Sequence, residues 1–246
     1  MRRFFKDWGR SRLRNKLSWI EEAKKRAASE AVKHVEDGFT VGLGSGNTAA
    51  YAIKEMGRKI QQEKWMILGV PTSHQALRLA VDSGIQITTL EEHPQLDLTI
   101  DGADQIDKEL NLIKGMGGAL TREKIVASAT KQLVIVADQT KLVEKLGKNQ
   151  PLPIEVLPFA LPTVMLKIEE IGGKPILREG KGKVGPVVTD NGNFIVDADF
   201  GPIDSPKVLN LELKAISGVI ETGLFIELAD VVYVGKPEGV DELKRD

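Results

Sequence analysis

Short apolar runs alternate with amphipathic segments along the first half of the chain. Residues 18–35 carry apolar side chains at helical spacing and predict a helix. The continuation predicts strands over 39–43, 66–70, 85–90, 96–100 and 133–137, and helices over 48–60, 73–82 and 121–130. This alternation predicts an α/β fold with a parallel sheet covered on both faces by helices.

The pattern changes after about Leu146, where four prolines fall within twelve residues. A helix is predicted over 164–171, short strands over 175–177, 187–189 and 194–197, and one further element over 211–216. Asp190-Asn191-Gly192 predicts a hairpin turn, because Asn and Gly accept positive φ. We therefore expect a smaller α+β domain over 147–218. The apolar run 231–235 predicts a return to the first sheet, so the larger domain comprises 1–146 and 219–246.

Composition excludes several kinds of chemistry. The chain has no cysteine, which rules out disulfides and thiolate nucleophiles, and its three histidines lie too far apart for a His-rich metal centre. The net charge of −1 gives no indication of a nucleic-acid partner. No apolar run reaches the ~18 residues of a membrane helix. We expect a cytoplasmic protein with no metal, cofactor, nucleic-acid or membrane partner.

The first sixteen residues are basic, and charged residues interrupt the apolar core that a secretory signal needs. A transit peptide or an RNA-contacting tail is one interpretation of this segment. A frayed extension or an interface arm is the interpretation we favour.

A glycine-rich loop, Gly42 to Ala49, joins a predicted strand to a predicted helix. Its glycines allow close backbone approach to a ligand, and the start of a helix offers unpaired N–H groups that suit phosphate. The dinucleotide fingerprint fits poorly, because Asn47 stands at the third glycine position. A tight turn with a capping Asn or Thr explains the loop equally well.

Two further motifs carry charged side chains, one at the end of a predicted strand and one beside a glycine-rich turn. Asp101-Gly-Ala-Asp104 follows an apolar strand, where open α/β sheets bind ligands; an Asx-turn with solvated acids is the alternative. Lys114 precedes a glycine-rich turn, and Thr121 is predicted to cap a helix whose first turn holds Glu123. Together the motifs supply a carboxylate base and cationic charge, which suits proton abstraction next to the carbonyl of a phosphorylated sugar.

Eight segments, in order along the chain, give a family resemblance. They are GLGSGNTAAYAI, VPTSHQA, TIDGADQID, LIKGMGGALTREKIVA, VADQTKLVEKLG, PLPIEVLPFA, VTDNGNFIVDADF and GVIETGLF. From about Glu21 to Gly239 the chain resembles the A-type ribose-5-phosphate isomerases. The resemblance implies a Rossmann-like domain with a smaller α+β domain, a homodimer or homotetramer, and no cofactor or metal. It also implies interconversion of D-ribose 5-phosphate and D-ribulose 5-phosphate through an enediol(ate), in the non-oxidative branch of the pentose phosphate pathway.

The resemblance also implies roles for individual residues. Glu123 would be the base that moves a proton between C1 and C2. Asp101 and Asp104, with Lys114, would serve ring opening and stabilise charge on the sugar oxygens. The implied substrate contacts are Ser45, Gly46, Asn47, Thr48, Gly102, Ala103, Gly115, Met116, Gly117, Lys141 and Lys24. The chain departs from the usual family pattern at Asn47, where Ser is usual, at Gln105, where Glu is usual, and at the pair Gln139-Thr140.

The residues, taken without the resemblance, leave two alternative classes of function: another kind of enzyme and a non-enzymatic sensor. A sugar-phosphate deaminase or a CoA transferase on a related fold would use the same residue types, and a CoA transferase would use a glutamate as nucleophile. A sugar-phosphate sensor that controls transcription would need a helix-turn-helix, for which the residues before the first helix are too few.

Overall fold

The computed structural model describes residues 19–182 and 184–245, so the basic segment 1–17 and its predicted roles lie outside the described residues. Helix α1 covers residues 19–32. The first part of the chain continues with β1 (Thr40–Leu43), α2 (Gly46–Glu63), β2 (Leu68–Pro71), α3 (His74–Asp82), β3 (Gln86–Ile87), β4 (Leu98–Gly102), β5 (Gln105–Ile106), β6 (Leu112–Ile113), α4 (Leu120–Ser128) and β7 (Leu133–Asp138). The second part contains β8 (Leu152–Val156), α5 (Leu161–Glu170), β9 (Lys174–Leu177), β10 (Phe194–Asp199), α6 (Pro206–Lys214), β11 (Val219–Thr222), β12 (Leu224–Phe225), β13 (Val231–Gly235) and β14 (Val240–Lys244).

The largest sheet has seven strands in the order β14-β13-β7-β4-β1-β2-β3. Its neighbouring strands run parallel except β13 and β14, which confirms the predicted α/β class with a mostly parallel sheet. The chain moves from β1 outward to β3 on one side and from β4 outward to β13 on the other. The order therefore reverses between β1 and β4, and ligands of open α/β sheets bind at the carboxyl ends of such strands.

Helices lie on both faces of this sheet. Helices α1, α2 and α3 contribute to one apolar core, in which Val134 and Val136 of β7 are buried. Ile135 and Ala137, which alternate with them, are buried on the opposite face beside Ala127 of α4. On that face α4 is joined by a three-stranded antiparallel sheet in the order β12-β6-β5.

The second part of the chain forms a four-stranded antiparallel sheet in the order β11-β8-β10-β9, packed against α5 and α6. Strand β11 belongs to this sheet, which therefore extends past the boundary predicted at residue 218. The division into two domains stays a prediction.

Two predicted strands differ from the structure. The strand predicted over 187–189 is reduced to a single bridge between Val188 and Phe194. Its neighbouring backbone groups bond to different partners, Val187 N to Arg178 O and Thr189 N to Asn193 O, so no continuous ladder forms. The strand predicted over 85–90 covers only Gln86–Ile87.

Candidate active site

A cavity of about 350 Å³ opens at the carboxyl ends of β1 and β4. All of the site residues predicted from the sequence line it except Asp101 and Met116. The structure therefore brings the glycine-rich loop, the aspartate segment and the Lys114–Glu123 segment into one place. This is the position where the strand order reverses.

The glycine-rich loop starts helix α2 without a side-chain cap. Ser45 holds the N-cap position, but its hydroxyl makes no cap bond to the helix. It lies 2.8 Å from Thr72 Oγ1 and donates to Ser73 Oγ at 2.6 Å. The alternative of a capping Asn or Thr is wrong, because Asn47 and Thr48 lie inside the helix. The N–H of Gly46, the first residue of α2, donates to Gln75 Oε1 at 3.1 Å, and no side chain of the loop itself caps the helix, so the start of α2 still offers N–H groups to an anion.

Gly44 explains how Asp101 comes to be buried. A Cβ at position 44 would overlap both the Asp101 carboxylate and the Asp101 Cα. With glycine there, the Asp101 carboxylate accepts hydrogen bonds from Ser45 N at 3.1 Å and Gly102 N at 2.7 Å. Asp101 is therefore fixed beneath the glycine-rich loop, and it does not line the cavity as a substrate contact would.

Lys114 lies between two buried carboxylates. Its Nζ is 3.0 Å from Asp101 Oδ2 and 3.2 Å from Glu123 Oε2, and it donates to Gly102 O at 2.6 Å. All three side chains are at most 7% exposed. Among the described residues, no donor meets hydrogen-bond geometry at Glu123 Oε2. The Lys114 ammonium is therefore the protein group that pairs with the Glu123 carboxylate, which lines the cavity.

Electrostatics set the protonation of this group. Burial raises the pKa of Glu123 to about 8; the negative charge of Asp101 adds to the increase, and Lys114 opposes it. Burial lowers the pKa of Lys114, but the negative charges of Asp101, Glu123 and Asp104 outweigh that effect, and the net pKa is raised. Burial also raises the pKa of Asp101, against Lys114 and two backbone donors. The lysine stays charged, and Glu123 titrates near neutral pH.

The turn after Lys114 is held from two sides. Asp104, which lines the cavity, accepts a hydrogen bond from Met116 N at 3.0 Å. Arg178, in the second half of the chain, donates to Gly115 O at 2.9 Å and to Met116 O at 3.0 Å. Met116 therefore contributes to the site through its backbone, while its side chain is half-exposed outside the cavity lining.

Two further lysines, Lys24 and Lys141, also line the cavity. Lys24 of α1 pairs with Glu21 at 3.1 Å, and Glu21 also accepts a hydrogen bond from Tyr51. Lys141 follows β7 and has no ion-pair partner within residues 19–182 and 184–245. Both line the cavity with Ser45 to Thr48, so cationic and backbone donors face the same space.

Helix α4 presents Glu123 in its first turn, as predicted, but its start differs from the prediction. The N-cap is Ala119, and Thr121 is the second residue of the helix. The Thr121 hydroxyl points away from the helix backbone and donates to Glu155 Oε2 at 2.5 Å. The predicted threonine cap is wrong, because the helix begins at Leu120, so Thr121 already lies inside it and its hydroxyl donates to Glu155.

One wall of the cavity was missed by sequence reasoning. Its residues come from α3 and from the segment before β10: Ser73, Gln75, Val187, Val188, Thr189 and Asp190. The turn signal at Asp190 predicted local geometry but not proximity. Long-range bonds create the proximity, since His74 N donates to Asp190 Oδ2 at 2.8 Å.

Nowhere in residues 19–182 and 184–245 do three or more His, Cys, Asp or Glu side chains come together as a metal site would require. In the same part of the chain, every helix is too short or too polar to cross a membrane.

Comparison with known proteins gives consistent matches. Residues 68–239 match the family model of ribose 5-phosphate isomerase A (phosphoriboisomerase A). The chain is 49% identical over 221 residues to ribose-5-phosphate isomerase A of Methanothermobacter thermautotrophicus, covering 90% of this chain and 97% of the relative. It is 51% identical over 220 residues to that of Methanosarcina acetivorans, covering 89% and 93%. A solved D-ribose-5-phosphate isomerase in complex with phospho-erythronic acid is 47% identical, with a TM-score of 0.90 over 92% of this chain and 99% of that one.

Proposed function

The chain belongs to the ribose 5-phosphate isomerase A family, and we propose that Glu123 is the base with which it interconverts D-ribose 5-phosphate and D-ribulose 5-phosphate. One observation supports this role above all. Glu123 lines the cavity, lies 3.2 Å from the Lys114 ammonium, and has its pKa raised to about 8. A general base is most effective when its pKa lies near the working pH.

The proton transfer balances within the substrate and one side chain. Glu123 takes the proton from C2 of the open-chain aldose, and the electrons of the broken C–H bond move toward the aldehyde oxygen O1, which gives an enediolate. The hydroxyl proton of O2 passes to O1, so the negative charge moves to O2. Glu123 then returns its proton to C1 as O2 becomes the carbonyl oxygen, which leaves the ketose. Lys114 stabilises negative charge that develops on the O1 and O2 oxygens in this step.

The two aspartates divide the remaining work according to their positions. Asp104 lines the cavity and has access to a sugar hydroxyl during ring opening. Asp101 is held by two backbone N–H groups and by Lys114, so it acts on the substrate through the Lys114 ammonium.

The phosphate end of the substrate lies at the start of α2. Ser45, Gly46, Asn47 and Thr48 form this rim of the cavity, with Lys24 and Lys141 beside them. The relative that binds phospho-erythronic acid, a phosphorylated four-carbon acid, is consistent with such a site. Gly102, Ala103, Gly115 and Gly117 contact the sugar along the cavity floor.

The experiment that tests the base is Glu123→Gln, with turnover of ribose 5-phosphate and calorimetric binding of phospho-erythronic acid measured on the same preparation. We expect a loss of ~10²–10⁴-fold in kcat, with the ligand still bound. Glu212→Gln, an exposed residue of α6, is the matched control and should leave both values unchanged. Turnover near the wild-type rate in Glu123→Gln would show that another group is the base.

We also propose that the enzyme is a cytoplasmic homodimer or homotetramer. Large apolar side chains of the smaller sheet and its helices are exposed, with Phe159 94%, Ile176 69% and Leu211 64% exposed. Contiguous exposed apolar surface is typical of faces that pack against another subunit. Light scattering of the purified protein would give the mass, and a monomer at micromolar concentration would contradict the proposal.

A further inference from the structure

Glu155, the fourth of the five residues of β8, carries a carboxylate that is completely buried. No lysine, arginine or histidine of residues 19–182 and 184–245 lies within ion-pair distance of it. Burying a carboxylate without a cation is costly unless hydrogen bonds replace the lost water. Its presence in the core of the smaller sheet therefore requires donors.

Four side chains supply those donors. Thr121 Oγ1 donates to Oε2 at 2.5 Å. The other oxygen, Oε1, accepts from Thr189 Oγ1 at 2.9 Å, Asn191 Nδ2 at 3.1 Å and Asn193 Nδ2 at 2.8 Å. A carboxylate offers about four lone-pair sites, whereas an amide oxygen offers about two. A glutamate therefore satisfies the whole set, and a glutamine does not.

These donors come from two structures on either side of the cavity. Thr121 lies in the first turn of α4, two residues before Glu123. The other three belong to the Thr189–Asn193 turn, closed by Thr189 N to Asn193 O at 2.9 Å. Thr189 and Asp190 of that turn line the cavity. One carboxylate thus joins the helix that carries the base to the wall missed by sequence reasoning.

The same turn has further bonds to the site. Asp190 accepts from the backbone of His74 at the start of α3, and Ser73 beside it accepts from Ser45 Oγ. Arg122, next to Glu123, donates to Asp190 O at 2.8 Å and to Asn191 Oδ1 at 2.7 Å. The turn therefore spans from the glycine-rich loop to α4.

We propose that Glu155 is a positioning residue for the isomerisation, which fixes the first turn of α4 and the Thr189–Asn193 turn to each other and so holds Glu123 against Lys114. The inference rests on the proposed role of Glu123 as the base. The proposed role involves no contact between Glu155 and the substrate, since Glu155 does not line the cavity.

The sharpest test removes only the bond to α4. Thr121→Val keeps the shape of the side chain and leaves Glu155 its three donors from the turn. We expect kcat to fall on the order of tenfold, within the ~10²-fold that small misplacements cost, with KM changed by less than about twofold. The midpoint of the pH profile of kcat/KM should move upward, because Glu123 drawn away from the Lys114 ammonium ionises less readily. Thr121→Ser should restore both values.

The matched control is Thr88→Val. Thr88 is buried and donates to Glu92 Oε2 at 2.7 Å. The Thr88→Val variant therefore also loses a threonine–glutamate hydrogen bond, but one that lies outside the cavity. It should lower the melting temperature while leaving kcat and the pH midpoint unchanged. A Thr121→Val protein that behaves like this control would overturn the inference.

Glu155→Gln extends the test to the whole cluster and should reduce kcat more than Thr121→Val does. If it does not fold, the comparison of Thr121→Val with Thr88→Val still decides. Glu123→Gln is measured alongside to separate two failures. Should it retain turnover, the proposed base is wrong; should it be inactive while Thr121→Val matches wild type, only the positioning role fails.

Discussion

Glu123 Oε2 and Lys114 Nζ lie 3.2 Å apart in the interior, and the same ammonium lies 3.0 Å from Asp101. When all three groups are ionised, they carry one excess negative charge with little solvent to screen it. Burial therefore favours a proton on one carboxylate. Asp101 accepts from two backbone N–H groups, whereas within residues 19–182 and 184–245 no donor meets hydrogen-bond geometry at Glu123 Oε2, so the backbone favours the ionised form of Asp101.

The first prediction is a pH profile. Because burial raises the pKa of Glu123 to about 8 and the base must be ionised, kcat/KM should rise about tenfold per pH unit below a midpoint near 8. The second ionisation of a phosphate lies near pH ~6, so the limb between about pH 7 and 9 belongs to the enzyme. Rates measured from pH 6 to 9.5 check this. A plateau already reached at pH 6 would contradict it.

The free energy of unfolding should also depend on the titration of Glu123, in a direction that follows from its raised pKa. The folded pKa of Glu123 lies above its ordinary value of 4.5, so its contribution to the free energy of unfolding is complete below that value and lost as pH rises through about 8. Glutamine cannot ionise. The stability of Glu123→Gln relative to wild type should therefore increase between pH 5 and pH 9, as measured by urea unfolding.

The second prediction concerns Lys114→Met, which removes the ammonium and keeps most of the side-chain volume. We expect kcat to fall by ~10²–10³-fold with a much smaller change in KM, because the lysine acts on charge that develops in the transition state. Lys141→Ala is the contrasting variant and should raise KM while kcat stays close to wild type. A change confined to KM in Lys114→Met would make Lys114 a binding residue.

The loss of Lys114 also leaves two carboxylates buried together, which destabilises the fold. Adding Asp101→Asn to Lys114→Met removes one of those charges. The double variant should unfold at a higher temperature than Lys114→Met alone, without recovering turnover. This comparison separates the catalytic loss from the loss of stability.

The sheet and the position of the site could be predicted from the sequence because the relevant signals are local. Alternating apolar strands and amphipathic helices define the parallel sheet. Ser45 and Lys114 lie just after β1 and β6, and Asp101 lies near the carboxyl end of β4. Strand β8 was not predicted, because Pro153 lacks an N–H group and its position was interpreted as part of a loop. In the sheet its carbonyl still accepts from Gly223 N at 2.7 Å.

Features set by distant contacts could not be predicted in this way. Aspartate is a residue type that often contacts a substrate. Because Gly44 has no Cβ, however, the Asp101 carboxylate lies beneath the glycine-rich loop. Threonine often caps helices, but the Thr121 hydroxyl donates a hydrogen bond to Glu155, which lies 34 residues away in the sequence. In both cases the position of the side chain is set by a partner that is distant in the sequence and close only in the folded chain.

The third prediction concerns Gln105, one of the positions that depart from the pattern implied by the family resemblance. Gln105 is buried; its Oε1 accepts from Gly147 N at 2.8 Å and its Nε2 donates to Lys148 O at 2.8 Å. Gln105→Glu would place an acceptor against the Lys148 carbonyl and should cost about 1–3 kcal/mol of stability near pH 7. Gln95→Glu, at an exposed position, is the control for added charge. Equal melting temperatures for the two variants would contradict this account.

The fourth prediction locates the phosphate through Asn47, which is exposed at the rim of the cavity in the first turn of α2. Asn47→Asp places a negative charge where we expect the substrate's phosphate. KM should rise by about tenfold or more, most strongly at low salt, because like charges repel and salt screens them. Asn47→Ala removes the amide without adding charge, and Asn47→Ser introduces the usual family residue. Both should keep KM within about threefold of wild type. If Asn47→Asp and Asn47→Ala have the same KM, the phosphate binds elsewhere.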